Sequence, residues 1–268
     1  MTASTEPGVP DLATVPAAAA TAPVRRERRT VASYLFMPLF LGLVCLGLYL
    51  YVQSQELDSI EQRSLNASNI GKALWEHIQL TAVSTFFVII IAVPLGVFLT
   101  RPFTRRYRGI LLTVANIGQA VPTIGLFALL AVLFFFLGFA AAIVGLVAYA
   151  VLPVLRNTMV GLQQVDENIL EAGRGMGISK FGVLRRIELP LAVPIILAGV
   201  RTALIINVGA ATLAAYINAG GLGRILVAGL STNRLTVQIV GAVLTAVLAL
   251  LIDYLAGIAE DVLRPKGL

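Results

Sequence analysis

Few side chains in this 268-residue sequence could do chemistry. There is one histidine, His77, and one cysteine, Cys45, so no internal disulfide can form and metal, redox or nucleophile–base chemistry has no cluster to draw on. Arg201 and Asp253 fall inside long apolar runs. An arginine about 16 Å along a helix from Pro190 sits in the hydrocarbon zone and must be paired or wet. The structural reading is an Arg201–Asp253 ion pair; the functional one is a guanidinium that reads an anionic solute. Four further residues could line a polar path through a bilayer: Gln119 and Pro122 in mid-run, Asn207, and Tyr216 near a run's end. The competing role for each is hydrogen-bonded packing between helices. Gly173, Gly175 and Gly177 lack the spacing of a dinucleotide or phosphate-binding loop, and no Walker sequence occurs.

The elements that must position these groups follow from composition. Hydrophobic residues make up 58% of the chain and charged residues 13%, with a mean hydropathy of +0.89, outside the soluble globular range. This is the profile of an all-α polytopic membrane protein. A span needs about 20 apolar residues, and six stretches qualify: approximately 31–52, 77–100, 110–137, 140–162, 191–216 and 237–258. Residues 1–30, with VPAAAATAP before RRERR, are too poor in large apolar groups to bury a core and read as a disordered cytoplasmic tail. Residues 31–268 then form the transmembrane domain. His77, beside Trp75 at a helix entrance, is expected at the membrane interface.

Basic residues fix the expected orientation. With the N-terminus inside, fifteen lysines and arginines fall in or beside cytoplasmic segments, among them Arg101, Arg108, Arg156, Lys180 and Arg186. Arg63, Lys72, Arg224 and Arg234 alone fall outside. Positive residues concentrate on the cytoplasmic side, so both termini are expected there. The loop at about 163–190 is then cytoplasmic. It reads as two short amphipathic helices, the first capped by Asp166 and ended by glycines, the second starting at Ser179 with Phe181, Leu184 and Ile187 at helical spacing. Pro190 fits the start of the next span.

From Glu171 to Pro190 the loop reads EAGRGMGISKFGVLRRIELP. It resembles the coupling motif of membrane-spanning subunits of bacterial binding-protein-dependent ABC importers: Glu-Ala-Ala, three residues, Gly, nine residues, Ile, one residue, Leu-Pro. Glu171, Ala172, Gly177, Ile187, Leu189 and Pro190 match, while Gly173 stands where the pattern has a second alanine. That change weakens local helix propensity by about 1 kcal/mol. QAVPTIGLFALL from Gln119, LPVLRNTMVGLQQVD from Leu152, LAGVRTALI from Leu197 and ATLAAYINAGGLGRILVAGL from Ala211 resemble the family's osmoprotectant branch, whose usual GAGGLG here begins with Asn218.

The resemblance implies a type I ABC importer permease fold and a transport subunit that is not an enzyme. Glu171, Ala172, Gly173, Gly177, Ile187, Leu189 and Pro190 would form the element that couples to the ATPase. ATP and Mg would belong to that separate chain, with no cofactor or metal on this one. The implied partners are ABC ATPase subunits, a second permease subunit, an extracellular substrate-binding protein on its own chain and membrane lipid, with no nucleic acid. The implied solute is an osmoprotectant: glycine betaine, choline, carnitine or proline betaine. A cationic wall would repel choline, which favours the structural pairing of Arg201 with Asp253. A permease for an amino acid, methionine or taurine is the alternative within the class. A secondary transporter, which would show internal repeats and more embedded ionisable groups, is the alternative outside it.

Overall fold

The computed structural model describes residues 31–263, and helices joined by short turns make up these residues. The expected tail at 1–30 and the last five residues lie outside the described residues. The chain divides after Phe36, and the architecture below is that of the unit beginning at Met37.

Five helices are long and apolar enough to span a bilayer: α1 (Val31–Gln53), α3 (Ala67–Thr100), α6 (Gly138–Gln163), α9 (Leu189–Ala211, continuous with the turns before it) and α11 (Leu235–Leu263). A short α2 (Ser59–Ser64) starts at a capping box in which Asp58 accepts from the Glu61 N–H and the Glu61 side chain accepts from the Asp58 N–H. The core is built on α3, α6 and α9, with α11 against α9 and against α10 (Gly223–Ser231). Leu80, Phe127, Ala142 and Leu146 fill its outer layer, and Val88, Ala92, Val154 and Ala203 the next. Small residues let the α3, α6 and α9 backbones approach closely, the usual route to helix association where lipid removes the hydrophobic drive.

The expected continuous third span is not continuous. It consists of α4 (Arg105–Ala120) and α5 (Thr123–Phe134), bent by 93° at the break. Pro122 is the cause: it lacks an N–H, and its ring excludes Val121 from the helical region, so Val121 lies at φ −72, ψ 127 and Pro122 at φ −55, ψ 132. At 12 residues α5 is about 18 Å long and cannot cross alone. The broken pair counts as one span, giving six.

Contacts between loops define the two ends of the bundle. At one end Arg234 pairs with Asp58 at 2.6 Å, and the Gly221 N–H donates to Glu76. At the other, Arg101 at the end of α3 pairs with Glu188 just before α9. The chain therefore runs from the Asp58 end through α3 to the Arg101 end, back through α4 and α5, down α6, back through α9 and down α11.

Candidate functional site

The loop between α6 and α9 is shaped by caps. Asp166 accepts from the Asn168 N–H and starts α7 (Glu167–Gly175), as its sequence predicts. At the other end the Ile178 N–H bonds back to the Gly173 carbonyl and the Gly177 N–H to the Arg174 carbonyl, with Gly177 at φ +81. This is the double bond of a Schellman turn, which calls for a residue without a Cβ at the left-handed position. Ser179 caps the next helix, accepting from the Gly182 N–H.

The second short helix is not separate from the following span. α8 (Lys180–Val183) passes through one wide turn, Leu184–Glu188, directly into α9, and the Leu189 N–H reaches the Leu184 carbonyl five residues back. Pro190 supplies the reason: its ring would clash with the carbonyl four residues earlier, and the widened turn makes room for it. Lys180 to Ala211 is thus one helical rod of 32 residues, with the loop's second half as its lower end.

This rod brings the motif residues into contact. Gly173 is buried, and a Cβ there would stand 2.7 Å from Ile187 Cδ1. Gly173 and Ile187 therefore meet face to face, which is how α7 docks on the rod. Leu170 and Val183 are buried at the same junction. Glu171, Ala172 and Gly177 are exposed, and Gly177 has open space where a side chain would go. Ile169, Met176 and Phe181 are exposed apolar side chains on the outward face. Leu189 and Pro190 are half-buried in the rod.

One tie at this end has no counterpart in the sequence reading. Glu188, 7% exposed, accepts from Arg101 Nη2 at 2.7 Å, while Arg101 Nε donates to the Val97 carbonyl at the end of α3. Arg101 so caps one helix and anchors another. The signal was a glutamate inside the motif, adjacent to Leu189, with an arginine-rich loop elsewhere to meet it.

The four polar candidates fall in different surroundings. Gln119 Nε2 donates to the Tyr149 carbonyl on α6 at 2.9 Å. Pro153, four residues on, has no N–H to offer that carbonyl, so Gln119 replaces a missing helix bond across the α4–α6 seam. Pro122 is exposed at the break. Asn207 is fully buried between α9 and α3, donating to Thr85 Oγ1 at 3.1 Å, and its Oδ1 has no partner. Tyr216 is exposed in a 3₁₀ turn, Leu213–Ile217, that follows α9.

Arg201 and Asp253 are brought together as a bidentate pair, Nε to Oδ1 at 2.5 Å and Nη2 to Oδ2 at 2.8 Å. A third member, Glu260, lies 3.7 Å from Arg201 Nη1, two turns below Asp253 on α11. Its place near the helix end hid it from a search of apolar runs.

At the opposite end His77 is fully buried, not interfacial. The Leu222 N–H donates to Nδ1, which puts the ring proton on Nε2, 3.0 Å from the Val208 carbonyl at the end of α9. With Glu76 bound to the Gly221 N–H, two neighbouring residues of α3 clamp the NAGGLG turn. Asn218 (φ 61), Gly220 and Gly221 there all have positive φ. Asparagine is the side chain that best tolerates this conformation, so Asn218 serves where glycine is usual. Nearby, Asp58 is held below the ordinary carboxyl value, chiefly because the Glu61 N–H donates to it; desolvation opposes this, and the Ile60 N–H and Arg234 assist.

A membrane bundle with one broken span, a helix docked at one end by small residues and a clamped turn at the other fits a membrane transport subunit. Residues 92–266 match the family described as binding-protein-dependent transport system inner membrane component, and the chain belongs to that family. The carnitine transport permease protein OpuCD of Listeria monocytogenes is 40% identical over 77% of this chain and 92% of its own length. The glycine betaine/carnitine/choline transport system permease protein OpuCB of Bacillus subtilis is 41% identical over 75% of this chain and 93% of its own. Among solved structures, an inward-facing MetNI methionine ABC transporter subunit is 27% identical, with a TM-score of 0.66 over 78% of this chain and all of that one. A bacterial alginate ABC transporter, 14% identical with a TM-score of 0.60 over 86% of this chain and 93% of that one, shares the fold.

Proposed function

We propose that this chain is the membrane-spanning subunit of an ABC importer that admits an osmoprotectant of the glycine betaine, carnitine, choline or proline betaine kind. The observation that carries this reading is the identity gradient. Relatives named for carnitine, glycine betaine or choline transport are 40–41% identical over more than nine-tenths of their length, against 27% for the methionine transporter subunit.

The parts take these roles. The exposed face of α7, with Glu171, Ala172 and Gly177, docks on a separate ATPase that holds ATP and Mg. Gly173, Ile187, Leu189 and Pro190 transmit its movement to α9, because α7 rests on the continuous rod that α9 forms. Pro122, Gln119, Asn207 and Tyr216 belong to the walls and hinges of the path. Two permease subunits enclose that path, and an extracellular binding protein delivers solute at the Asp58–Arg234 end. The Arg101–Glu188 end faces the cytoplasm, since it carries Arg106, Arg108, Arg174, Lys180, Arg185 and Arg186 while the other carries Arg63, Lys72, Arg224 and Arg234. Both termini are then cytoplasmic.

The test is growth in high salt of a strain stripped of its own osmoprotectant uptake, supplied with this chain, its ATPase and its binding protein. Rescue by glycine betaine, carnitine or choline is expected. Rescue of methionine auxotrophy in place of salt tolerance would favour the methionine reading, which the TM-score of 0.66 keeps in play.

A further inference from the structure

Away from their ends, the spans from Ala67 onward carry two arginines, Arg156 and Arg201, and they are treated differently. Arg201 is neutralised by Asp253 and Glu260. Arg156, on α6, has no ion pair among the described residues: its one bond is from Nη2 to Asn116 Oδ1 on α4, at 2.6 Å, and both side chains are exposed.

Arg156 stands seven residues before the end of α6, about 10 Å into the bundle from the Arg101 end, and Asn116 stands eleven residues into α4, about 16 Å from the same end. The guanidinium thus reaches toward the middle of the membrane, following the tilt of helical side chains toward their N-terminus. An arginine that snorkelled to the lipid surface would point the other way. A second polar contact crosses the same seam, where Gln119 bonds the Tyr149 carbonyl about one turn above Asn116. Guanidinium offers five N–H donors and here one nitrogen is used. Such a group cannot face hydrocarbon, so this side of the α4–α6 seam faces water or a solute.

We propose that Arg156, oriented by Asn116, binds the carboxylate of a zwitterionic solute in the cytoplasmic half of the path. This rests on the osmoprotectant reading above and deepens it: the substrates are carboxylate-bearing solutes such as glycine betaine and carnitine, and choline, a cation without a carboxylate, is disfavoured. A planar fork facing a carboxylate gives a charge-assisted, two-point contact that a hydroxyl cannot replace.

The experiment measures uptake of glycine betaine, carnitine and choline into cells carrying the complete transporter, with membrane abundance read in parallel for Arg156→Gln and Arg156→Lys. Arg156→Gln is expected to lower the ratio of glycine betaine to choline uptake about tenfold, with Arg156→Lys, which keeps the charge and loses the fork, retaining part of it. Where the unaltered transporter takes up carboxylate solutes alone, loss in Arg156→Gln and partial recovery in Arg156→Lys at equal abundance supports the assignment. Undiminished uptake in Arg156→Gln overturns it, and so does an equal fall for all three solutes, which would mark a contact to the second subunit or to the fold. An unaltered transporter that carries choline and no carboxylate solute overturns it while leaving the osmoprotectant reading intact. One that carries none of the three defeats that reading itself.

Discussion

Removing Arg201 should damage the protein more than removing Asp253, although each breaks the same pair. Both side chains are about a quarter to a third exposed, at 31% and 26%, so the penalty for stranding a charge is smaller than in a dry core. Breaking a fully buried pair costs roughly 3–5 kcal/mol, and discounting for exposure brings Arg201→Met to about 2 kcal/mol. In Asp253→Leu the guanidinium still has Glu260, 3.7 Å from Nη1, which can close to hydrogen-bonding distance, so the loss falls to about 1 kcal/mol. Arg201→Met takes the guanidinium from Asp253 and Glu260 at once. The double variant should lie close to Asp253→Leu, a coupling of about 2 kcal/mol. Thermal unfolding in detergent and membrane abundance of the three variants measure this. Adding Glu260→Gln to Asp253→Leu should restore the full penalty. Additive losses, or an Asp253→Leu variant worse than Arg201→Met, would refute the shared-cation reasoning.

Other perturbations follow from the two ends. Gly177→Asp is expected to cost the fold about 1 kcal/mol, since aspartate tolerates φ +81 and the space is open. Its membrane insertion should be intact while ATPase co-purification and uptake are lost; an ATPase that still co-purifies and couples would refute docking at α7. Glu188→Gln should leave abundance within about 1–2 kcal/mol of stability yet reduce uptake per ATP hydrolysed, because Arg101 then holds the rod by a neutral hydrogen bond in place of a charge-assisted one; an unchanged ratio would remove that tie from the coupling path. Cysteines at Ser59 and Asn233, in a background without Cys45, should label from outside and one at Ser179 should not; the reverse pattern would invert the orientation. Asp58, whose native pKa is depressed, stabilises its end of the bundle above its unfolded value and loses that contribution as pH falls through the native one. Acid unfolding of Asp58→Asn should therefore be flatter than that of the unaltered chain below about pH 4, and superimposable profiles would deny the role.

Much of this was legible because membrane spans and caps are local. Apolar length located the helices, and Asp166, Ser179 and Gly177 announced their ends through the bonds they make. Arg201 and Asp253 were legible for a different reason, an embedded charge having few places to go. What was hidden depends on pairing across the chain. Pro122 read as a residue in the middle of a continuous span and is a 93° break, since two successive extended residues stop a helix outright. Pro190 read as a helix start and lies within a continuous rod, because the wide turn before it absorbs the ring. His77 read as interfacial from its neighbour Trp75, yet its partners, the Val208 carbonyl and the Leu222 N–H, are more than a hundred residues away. Arg156 read as a cytoplasmic cation although it fell within the span at 140–162, because its partner Asn116 lies forty residues away on α4.

The most direct test of the account is ATP-driven uptake in liposomes holding this chain, its ATPase and its binding protein. Accumulation of radiolabelled glycine betaine should require ATP inside, require both partner proteins, and disappear with Gly177→Asp. Accumulation driven by an ion gradient with no ATPase present would contradict the account at its centre.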